Sequence, residues 1–220
     1  FKLGVGRLIL SARRWPQLFL AALPFGISGI SYVLMQHFNT VLMSFVLTDA
    51  AVGWASVPGT LIGPVMLIPQ SIAIAMYPSM VRSYTEKPES LPQVIWQSIK
   101  YLLIVCLPIA VGGTIVADRI IITLYEETFV NSIPVLQVML WILPSAFLLE
   151  LLGRVANTLH LERPAARIDV INTVVTMVLS LILVPTLGIL GAVLAGLSGV
   201  TIRLVQYWVL IGNERLGSQR

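Results

Sequence analysis

Six long apolar segments, separated by short charged connections, set the pattern of this sequence. No charged residue lies between Arg14 and Asp49, for example, and similar gaps follow along the chain. A bilayer is crossed by one helix of about 20 apolar residues. The pattern therefore predicts an all-α bundle of six membrane spans in a single transmembrane lobe. The spans cover residues 16–47, 51–80, 94–117, 131–152, 168–184 and 189–211.

Prolines and glycines shape three of these spans. The first exceeds the length of a straight crossing, so we expect it to bend, tilt or project from the bilayer. The second contains four prolines, including Pro64 and Pro69, and we expect it to be kinked because proline removes a backbone donor. The last two spans are expected to join through a tight turn at residues 185–188.

Composition agrees with a membrane protein. Hydrophobic residues make up 57% of the chain and charged residues 11%, whereas a soluble domain carries about 25% charged residues. The basic residues lie between apolar segments and form no single patch, which argues against a nucleic-acid partner. The one cysteine, Cys106, excludes an intramolecular disulfide.

Lysine and arginine are distributed unequally between the two sides of the predicted bundle. Of the 14 basic residues, only Arg119 falls on the side that also carries Asp49, Asp118, Glu126 and Glu127. Basic residues accumulate on the cytoplasmic side of membrane proteins. We therefore expect both ends of the chain to be cytoplasmic, in a multi-pass membrane protein.

Motifs for catalysis or cofactor binding are not apparent. The sequence lacks a glycine-rich phosphate loop and a nucleophile elbow. His37 and His160 lie far apart, and one cysteine cannot build a zinc site. The sequence predicts no enzyme activity, no metal site and no cofactor.

Polar residues inside the first span form a stripe. Ser28, Tyr32, Gln36 and Asn39 follow one another at helical spacing and share a face, with His37 just beside it. Polar groups in hydrocarbon must be paired or must face water. The stripe is therefore either the wall of a hydrophilic cavity or a set of interhelical hydrogen bonds.

Charged residues near the side predicted to be cytoplasmic are expected to serve structure. Arg203 lies about two turns from its helix end, so we expect its side chain to extend to the headgroups. Glu150, Arg154, Arg167 and Asp169 flank one connection and are expected to pair there. Small residues spaced by four, expected to let helices approach closely, are Gly59 and Gly63, Ala192 and Gly196, and Ala195 and Gly199.

Segments along nearly the whole chain carry a family resemblance, although none is diagnostic alone. They are residues 23–25 (LPF), 39–44 (NTVLMS), 51–55 (AVGWA), 68–70 (IPQ), 75–78 (AMYP), 122–125 (ITLY), 134–137 (PVLQ), 170–172 (VIN) and 183–192 (LVPTLGILGA). Together they resemble the oligosaccharide flippases, polysaccharide exporters of the superfamily that also holds multidrug and toxin extrusion transporters.

This resemblance implies an architecture. Flippases of this kind have two six-helix lobes and about twice this length, so the chain is expected to be the C-terminal lobe of a longer protein. Its start at Phe1, with no signal peptide, fits a piece of a larger chain. Two positions depart from the family pattern. Asn39 stands where many relatives carry aspartate, which puts ion coupling there in doubt. Glu126 stands where a glycine often follows the leucine–tyrosine pair, which is expected only to reshape an outer loop.

The resemblance also implies a function, namely translocation of a polyprenyl-pyrophosphate-linked oligosaccharide across the bacterial plasma (inner) membrane by alternating access, for polysaccharide biosynthesis. Implied partners are that lipid, membrane lipids, the missing N-terminal lobe and possible polysaccharide polymerase or assembly proteins. Gln70 either caps the backbone opened by Pro69 or contacts substrate. Arg13 and Arg14 either meet the arriving pyrophosphate headgroup or only follow the positive-inside rule. The candidates for the cavity wall are Ser28, Tyr32, Gln36, His37, Asn39 and Gln70.

Three alternatives remain open at this stage. A drug or small-molecule antiporter of the same superfamily would need ionisable residues at mid-depth, and the spans have almost none. An integral membrane glycosyltransferase or ligase would need catalytic acids or bases on a sizeable outer loop, and the loops are short. A non-transporting scaffold of a polysaccharide assembly complex is compatible with the sequence.

Overall fold

The chain folds into seven α-helices along its described part. The computed structural model describes residues 15–217, with the side chains at 15–19, 21, 32, 35, 36 and 214–217 outside the description. The helices are α1 (Trp15–Val46), α2 (Asp49–Val65), α3 (Leu67–Glu86), α4 (Leu91–Tyr125), α5 (Ile133–Thr158), α6 (Glu162–Leu187) and α7 (Ile189–Gly217). No strand is present between residues 15 and 217, so the all-α prediction is confirmed.

Five stretches are long and apolar enough to cross a membrane. They are Asp49–Glu86, Pro88–Tyr125, Glu127–Thr158, Glu162–Leu187 and Ile189–Asn213. Within the described residues, α1 contributes only the shorter apolar stretch Ala22–Ser31. The chain is therefore a multi-pass membrane protein with five candidate spans, and the sixth predicted span is not confirmed.

The second predicted span is broken in the middle. Helix α2 ends at Val65, α3 begins at Leu67, and the single residue Met66 lies between them. Pro69 has no N–H to donate to the carbonyl of Val65, and its ring crowds that same carbonyl. The predicted interruption by proline is thus confirmed, and its position follows from Pro69. By contrast, α1 is continuous through Pro24.

The helices extend beyond the predicted spans. The third span, predicted at 94–117, lies in a helix of 35 residues that continues to Tyr125. Asp118 and Arg119 therefore belong to α4, where the prediction placed them in a connection. The fifth span, predicted at 168–184, lies in a helix that begins at Glu162 and ends at Leu187. Hydropathy marks where lipid ends, but backbone hydrogen bonding continues into the aqueous layer.

The turn between α6 and α7 is shorter than predicted. Residues 185–187 remain helical, and Gly188 alone separates the two helices. Its φ of 61° and ψ of −135° lie in a region that only glycine adopts without strain. Close by, a Cβ on Gly191 would lie 2.0 Å from the carbonyl oxygen of Leu183. The two glycines therefore permit an abrupt reversal of the chain.

Helix α5 occupies the centre of the bundle. It packs against α3, α4 and α7, and contributes Leu140, Phe147 and Leu151 to the main core. Large apolar side chains also cover the outer surface, with Phe45 85% and Ile115 72% exposed. Soluble proteins rarely expose contiguous apolar area of this kind, whereas a lipid-facing surface requires it. Helix association in lipid then depends on van der Waals packing and interhelical hydrogen bonds.

The small-residue pairs behave differently from one another. A Cβ on Gly199 would lie 2.2 Å from Oγ1 of Thr176, so α6 and α7 are in close contact there. Among the described residues, Gly59, Gly63 and Gly196 have no neighbouring atom within 4 Å of such a Cβ. The prediction of close helix packing is confirmed for Gly199 and does not hold for these three glycines within the described part of the chain.

Candidate functional site

The predicted polar stripe of α1 meets two separate cavities. Ser28 lines a cavity of about 210 Å³ that α1 shares with α5, α6 and α7. Asn39, eleven positions further along α1, lines a second cavity of about 500 Å³ bounded by α1, α2, α5 and α7. At 1.5 Å per residue the two side chains start about 16 Å apart along the helix. One α1 face therefore serves both cavities.

The first cavity is organised around an ion pair between α6 and α7. Nη2 of Arg203 lies 2.8 Å from Oδ1 of Asp169, whose side chain is 5% exposed. The hydroxyl of Tyr207 donates to the same oxygen at 3.0 Å, and the guanidinium of Arg203 lies 5.6 Å from the centroid of the Tyr207 ring. Arg203 therefore points inward, so the prediction that it extends to the headgroups is wrong.

A second ion pair lines the same cavity. Nη2 of Arg154 lies 3.1 Å from Oε1 of Glu150, one turn apart on α5, as predicted. Asp169, however, pairs with Arg203 and not with Arg154 or Arg167. With Glu162, the lining holds three carboxylates and two guanidinium groups. The first cavity is therefore polar and nearly charge-balanced. Charged side chains inside a membrane-protein bundle are retained only when they form ion pairs or face water.

A buried polar row on α6 was not anticipated from the sequence. Asn172, Thr173, Thr176 and Ser180 follow Asp169 at helical spacing, and all are buried. The Thr173 hydroxyl donates to the Asp169 carbonyl at 2.8 Å and lies 3.5 Å from the carbonyl of Ser31 on α1. The spacing itself was the available signal, because polar residues at intervals of three and four inside an apolar segment indicate a protein-facing side.

The second cavity is lined mainly by small and apolar residues, and its polar groups are Asn39 and the hydroxyls of Thr40, Ser56 and Thr60. Ser56, Gly59 and Thr60 come from α2, and Gly196 comes from α7. The Thr60 hydroxyl lies 2.8 Å from the Tyr125 hydroxyl at the end of α4, which links the cavity to the neighbouring connection. The hydroxyl and amide groups of the second cavity can donate hydrogen bonds to a polar ligand and accept them from it, without presenting a fixed charge.

That neighbouring connection is held by two hydrogen bonds to Trp54. The indole Nε1 donates to the carbonyl of Thr128 at 3.0 Å, and the Ser132 hydroxyl donates to the carbonyl of Trp54 at 2.8 Å. Glu126, which opens the connection, has a φ of 66°. This is the position where flippases of the resembled family often carry glycine, and the positive φ gives the physical reason.

The other predicted site residues lie elsewhere or outside the description. His37 is exposed and lines neither cavity, and Gln70 is half-buried in the first turn of α3, likewise outside both linings. The side chains of Tyr32 and Gln36 lie outside the described residues, as do Arg13 and Arg14 altogether. Among the side chains that the structure describes, no three of His, Cys, Asp or Glu are grouped as a metal site would require.

Comparison with solved structures supports the fold. The chain resembles a transporter from Pyrococcus furiosus, described under the heading "Reverse polarity of binding pocket suggests different function of a MOP superfamily transporter", with a TM-score of 0.73 and 16% sequence identity. The match covers 84% of this chain and 42% of the transporter, so the chain spans less than half of that protein. No curated protein sequence matches the chain.

Comparison with protein families gives the assignment. The family described as "Lipid II flippase MurJ" matches residues 14–219, nearly the full length. The resemblance to flippases is thereby confirmed, and the matching family is one of transport proteins, as expected. Since the family model matches residues 14–219 and the fold is that of a superfamily transporter, this chain belongs to the lipid II flippase (MurJ) family.

Proposed function

We propose that this chain is part of a flippase that moves a polyprenyl-pyrophosphate-linked oligosaccharide from the inner to the outer leaflet of the plasma membrane. The match to the lipid II flippase family carries the proposal, and it makes lipid II the first candidate for the substrate. The lining of the Asn39 cavity supports it, because uncharged hydroxyl and amide groups suit the hydrogen-bonding groups of a sugar.

We propose that the chain forms one six-span lobe of a two-lobe transporter, with α1 as its first span. Its 42% share of the superfamily transporter supports this size relation. The missing N-terminal lobe is then its first partner, and membrane lipids surround both. Polysaccharide polymerase or assembly proteins are further candidate partners. Two lobes that rock about a shared site near the midplane give alternating access.

The six-span arrangement, with both ends cytoplasmic, rests on the distribution of basic residues and has its own test. Reporter fusions after Asp49, Asp118 and Gly188 are expected to read as external. Fusions after Pro88 and Glu162 are expected to read as cytoplasmic. Inverted readings at two or more of these five sites would contradict the proposed orientation.

Within the proposed lobe, the stripe of α1 is assigned to the substrate path. Ser28 and Asn39 support this role, since each lines a cavity. Gln36 lies three positions before Asn39 and is proposed to share its face, with Tyr32, His37 and Gln70 as weaker members. Arg13 and Arg14, just before α1, are proposed to meet the pyrophosphate headgroup in the inner leaflet.

The function is tested by replacing the two amides of the stripe. Gln36→Leu with Asn39→Leu, in the full-length protein, is expected to abolish growth rescue in cells depleted of their own lipid II flippase. The matched control is Gln93→Leu with Gln97→Leu, two exposed amides of α4, which should preserve rescue. Normal rescue by the first variant, at wild-type abundance, would show that the stripe only packs helices. Failure of the wild-type protein to rescue would contradict the substrate assignment.

A further inference from the structure

A groove runs between α1 and α6 along the outer surface of the bundle. It encloses about 590 Å³ and lies at the ends where both helices begin. Its walls are apolar, with Leu20, Leu23 and Ile27 from α1 and Val170 and Ile171 from α6. The α1 residues are spaced by three and four, so they share one face of that helix. The groove adjoins the Ser28 cavity, with which it shares Pro24, and has no lining residue in common with the Asn39 cavity.

Two arginines close one end of the groove. Arg163 and Arg167 are one turn apart in the first two turns of α6, and both are exposed. Among the described side chains, which do not include that of Glu214, neither has a carboxylate within 4.0 Å, whereas Arg82, Arg154 and Arg203 are all in ion pairs. Glu162, the acidic residue nearest to Arg163 in the sequence, lines the Ser28 cavity and not the groove. Two positive charges are therefore available at the mouth of an apolar channel.

The dimensions match a lipid better than a soluble anion. From Arg163 to Ile171, α6 rises about 12 Å, and about 6 Å of this lies beyond Arg167. The charged mouth is therefore followed by apolar walls that match the first few methylene groups of an acyl chain. A free phosphate would use only the arginines and leave the apolar walls uncovered. Guanidinium groups bind phosphate oxygens through fixed, paired donors, and basic residues at a membrane surface attract anionic lipids.

We propose that this groove binds an anionic phospholipid of the surrounding leaflet. Its phosphate would lie between Arg163 and Arg167, and one acyl chain would follow the apolar walls formed by α1 and α6. The bound lipid would connect the two helices next to the Ser28 cavity, across Pro24. This site does not depend on the proposed transport function.

The charge of the site is tested with the purified full-length protein in detergent by native mass spectrometry. Dioleoyl phosphatidylglycerol is expected to bind more tightly than dioleoyl phosphatidylcholine, which has the same chains and no net charge. Arg163→Gln with Arg167→Gln should weaken phosphatidylglycerol about 30-fold, since each basic residue near the headgroup contributes about a factor of five. The control, Arg82→Gln with Lys87→Gln, removes two exposed charges elsewhere and should preserve binding.

The apolar part is tested by filling the groove. Ile171→Trp should weaken phosphatidylglycerol binding, whereas Val178→Trp, also exposed on α6 but beyond the groove, should not. Equal binding of the two phospholipids would overturn the proposal, as would equal losses in the arginine variant and its control. Full displacement of phosphatidylglycerol by inorganic phosphate would show a simple anion site. If an equal amount of polyprenyl diphosphate displaced phosphatidylglycerol, and the arginine variant also lost binding of the polyprenyl diphosphate, the groove would be a substrate site. Either displacement would also contradict the proposal.

Discussion

Removal of Arg203 should destabilise the protein more than removal of its partner Asp169. In Arg203→Met the Asp169 carboxylate, 5% exposed, keeps only the Tyr207 hydroxyl as a described partner. Breaking a buried ion pair in this way costs about 3–5 kcal/mol. In Asp169→Asn the remaining guanidinium is 26% exposed and can turn toward water. We expect this second variant to lose only about 1–2 kcal/mol, near the cost of an unsatisfied polar group.

The double variant separates the ion pair from the individual side chains. With both charges removed, no buried charge is left uncompensated, so Asp169→Asn with Arg203→Met should lie within about 2 kcal/mol of the wild type. If the effects were additive, the double variant would instead lose about 4–7 kcal/mol, the sum of the two single losses. For a chain of this size each 1 kcal/mol moves the unfolding temperature by about 2–4 °C. The Arg203 variant should therefore unfold about 10 °C below the wild type.

The chain offers its own reporter for this measurement. Cys106 is the only cysteine and is fully buried in the main core. A maleimide dye that fluoresces on reaction with a thiol should therefore report unfolding during a thermal ramp in detergent. Additive losses in the double variant, or an unfolding temperature of Arg203→Met equal to that of the wild type, would refute the reasoning.

Two further predictions use the same unfolding assay. Gly199→Ala should lower the unfolding temperature, because the new Cβ would lie 2.2 Å from Oγ1 of Thr176. The control Gly196→Ala places its Cβ near no described atom and should be neutral or stabilising. Equal effects of the two substitutions would contradict the close approach of α6 and α7. Glu126→Gly should raise the unfolding temperature, because it relieves about 1–3 kcal/mol of backbone strain at the positive φ of this residue. The greater conformational entropy of glycine in the unfolded chain offsets only about 0.5–1 kcal/mol of that gain. Glu127→Gly, the adjacent control, should lower the unfolding temperature, and a loss of stability in Glu126→Gly would show that the backbone there is unstrained.

Much of the helical architecture could be predicted from hydropathy and proline alone. The apolar segments predicted the helices, and the prolines predicted a kink in the second span, which the structure places at Met66, because both signals are local in sequence. The helix ends could not be predicted in the same way. Asp118 and Arg119 end the apolar segment but remain within α4, since charged residues are compatible with a helix in water.

The candidate site was less accessible to sequence reasoning. Arg203 and Asp169 lie on different helices, and no local pattern states that two side chains on facing helices will meet. Arg203 read alone suggested a headgroup contact, and its true environment depends on how α6 packs on α7. The stripe of α1 was visible from its spacing. That Ser28 and Asn39 line different cavities depends on the arrangement of the surrounding helices.

The single-residue link at Gly188 has a consequence for how the protein is made. In the proposed orientation, the segment that passes through the bilayer between α6 and α7 is residues 185–189. It contains no charged group, so its passage avoids the roughly 2.5–3.5 kcal/mol cost of inserting an Asp, Lys or Arg. The polar row of α6 would face lipid if that helix entered alone. Entry together with α7 covers Thr176 against Gly199 from the start. We therefore expect α6 and α7 to leave the translocon as one helical hairpin.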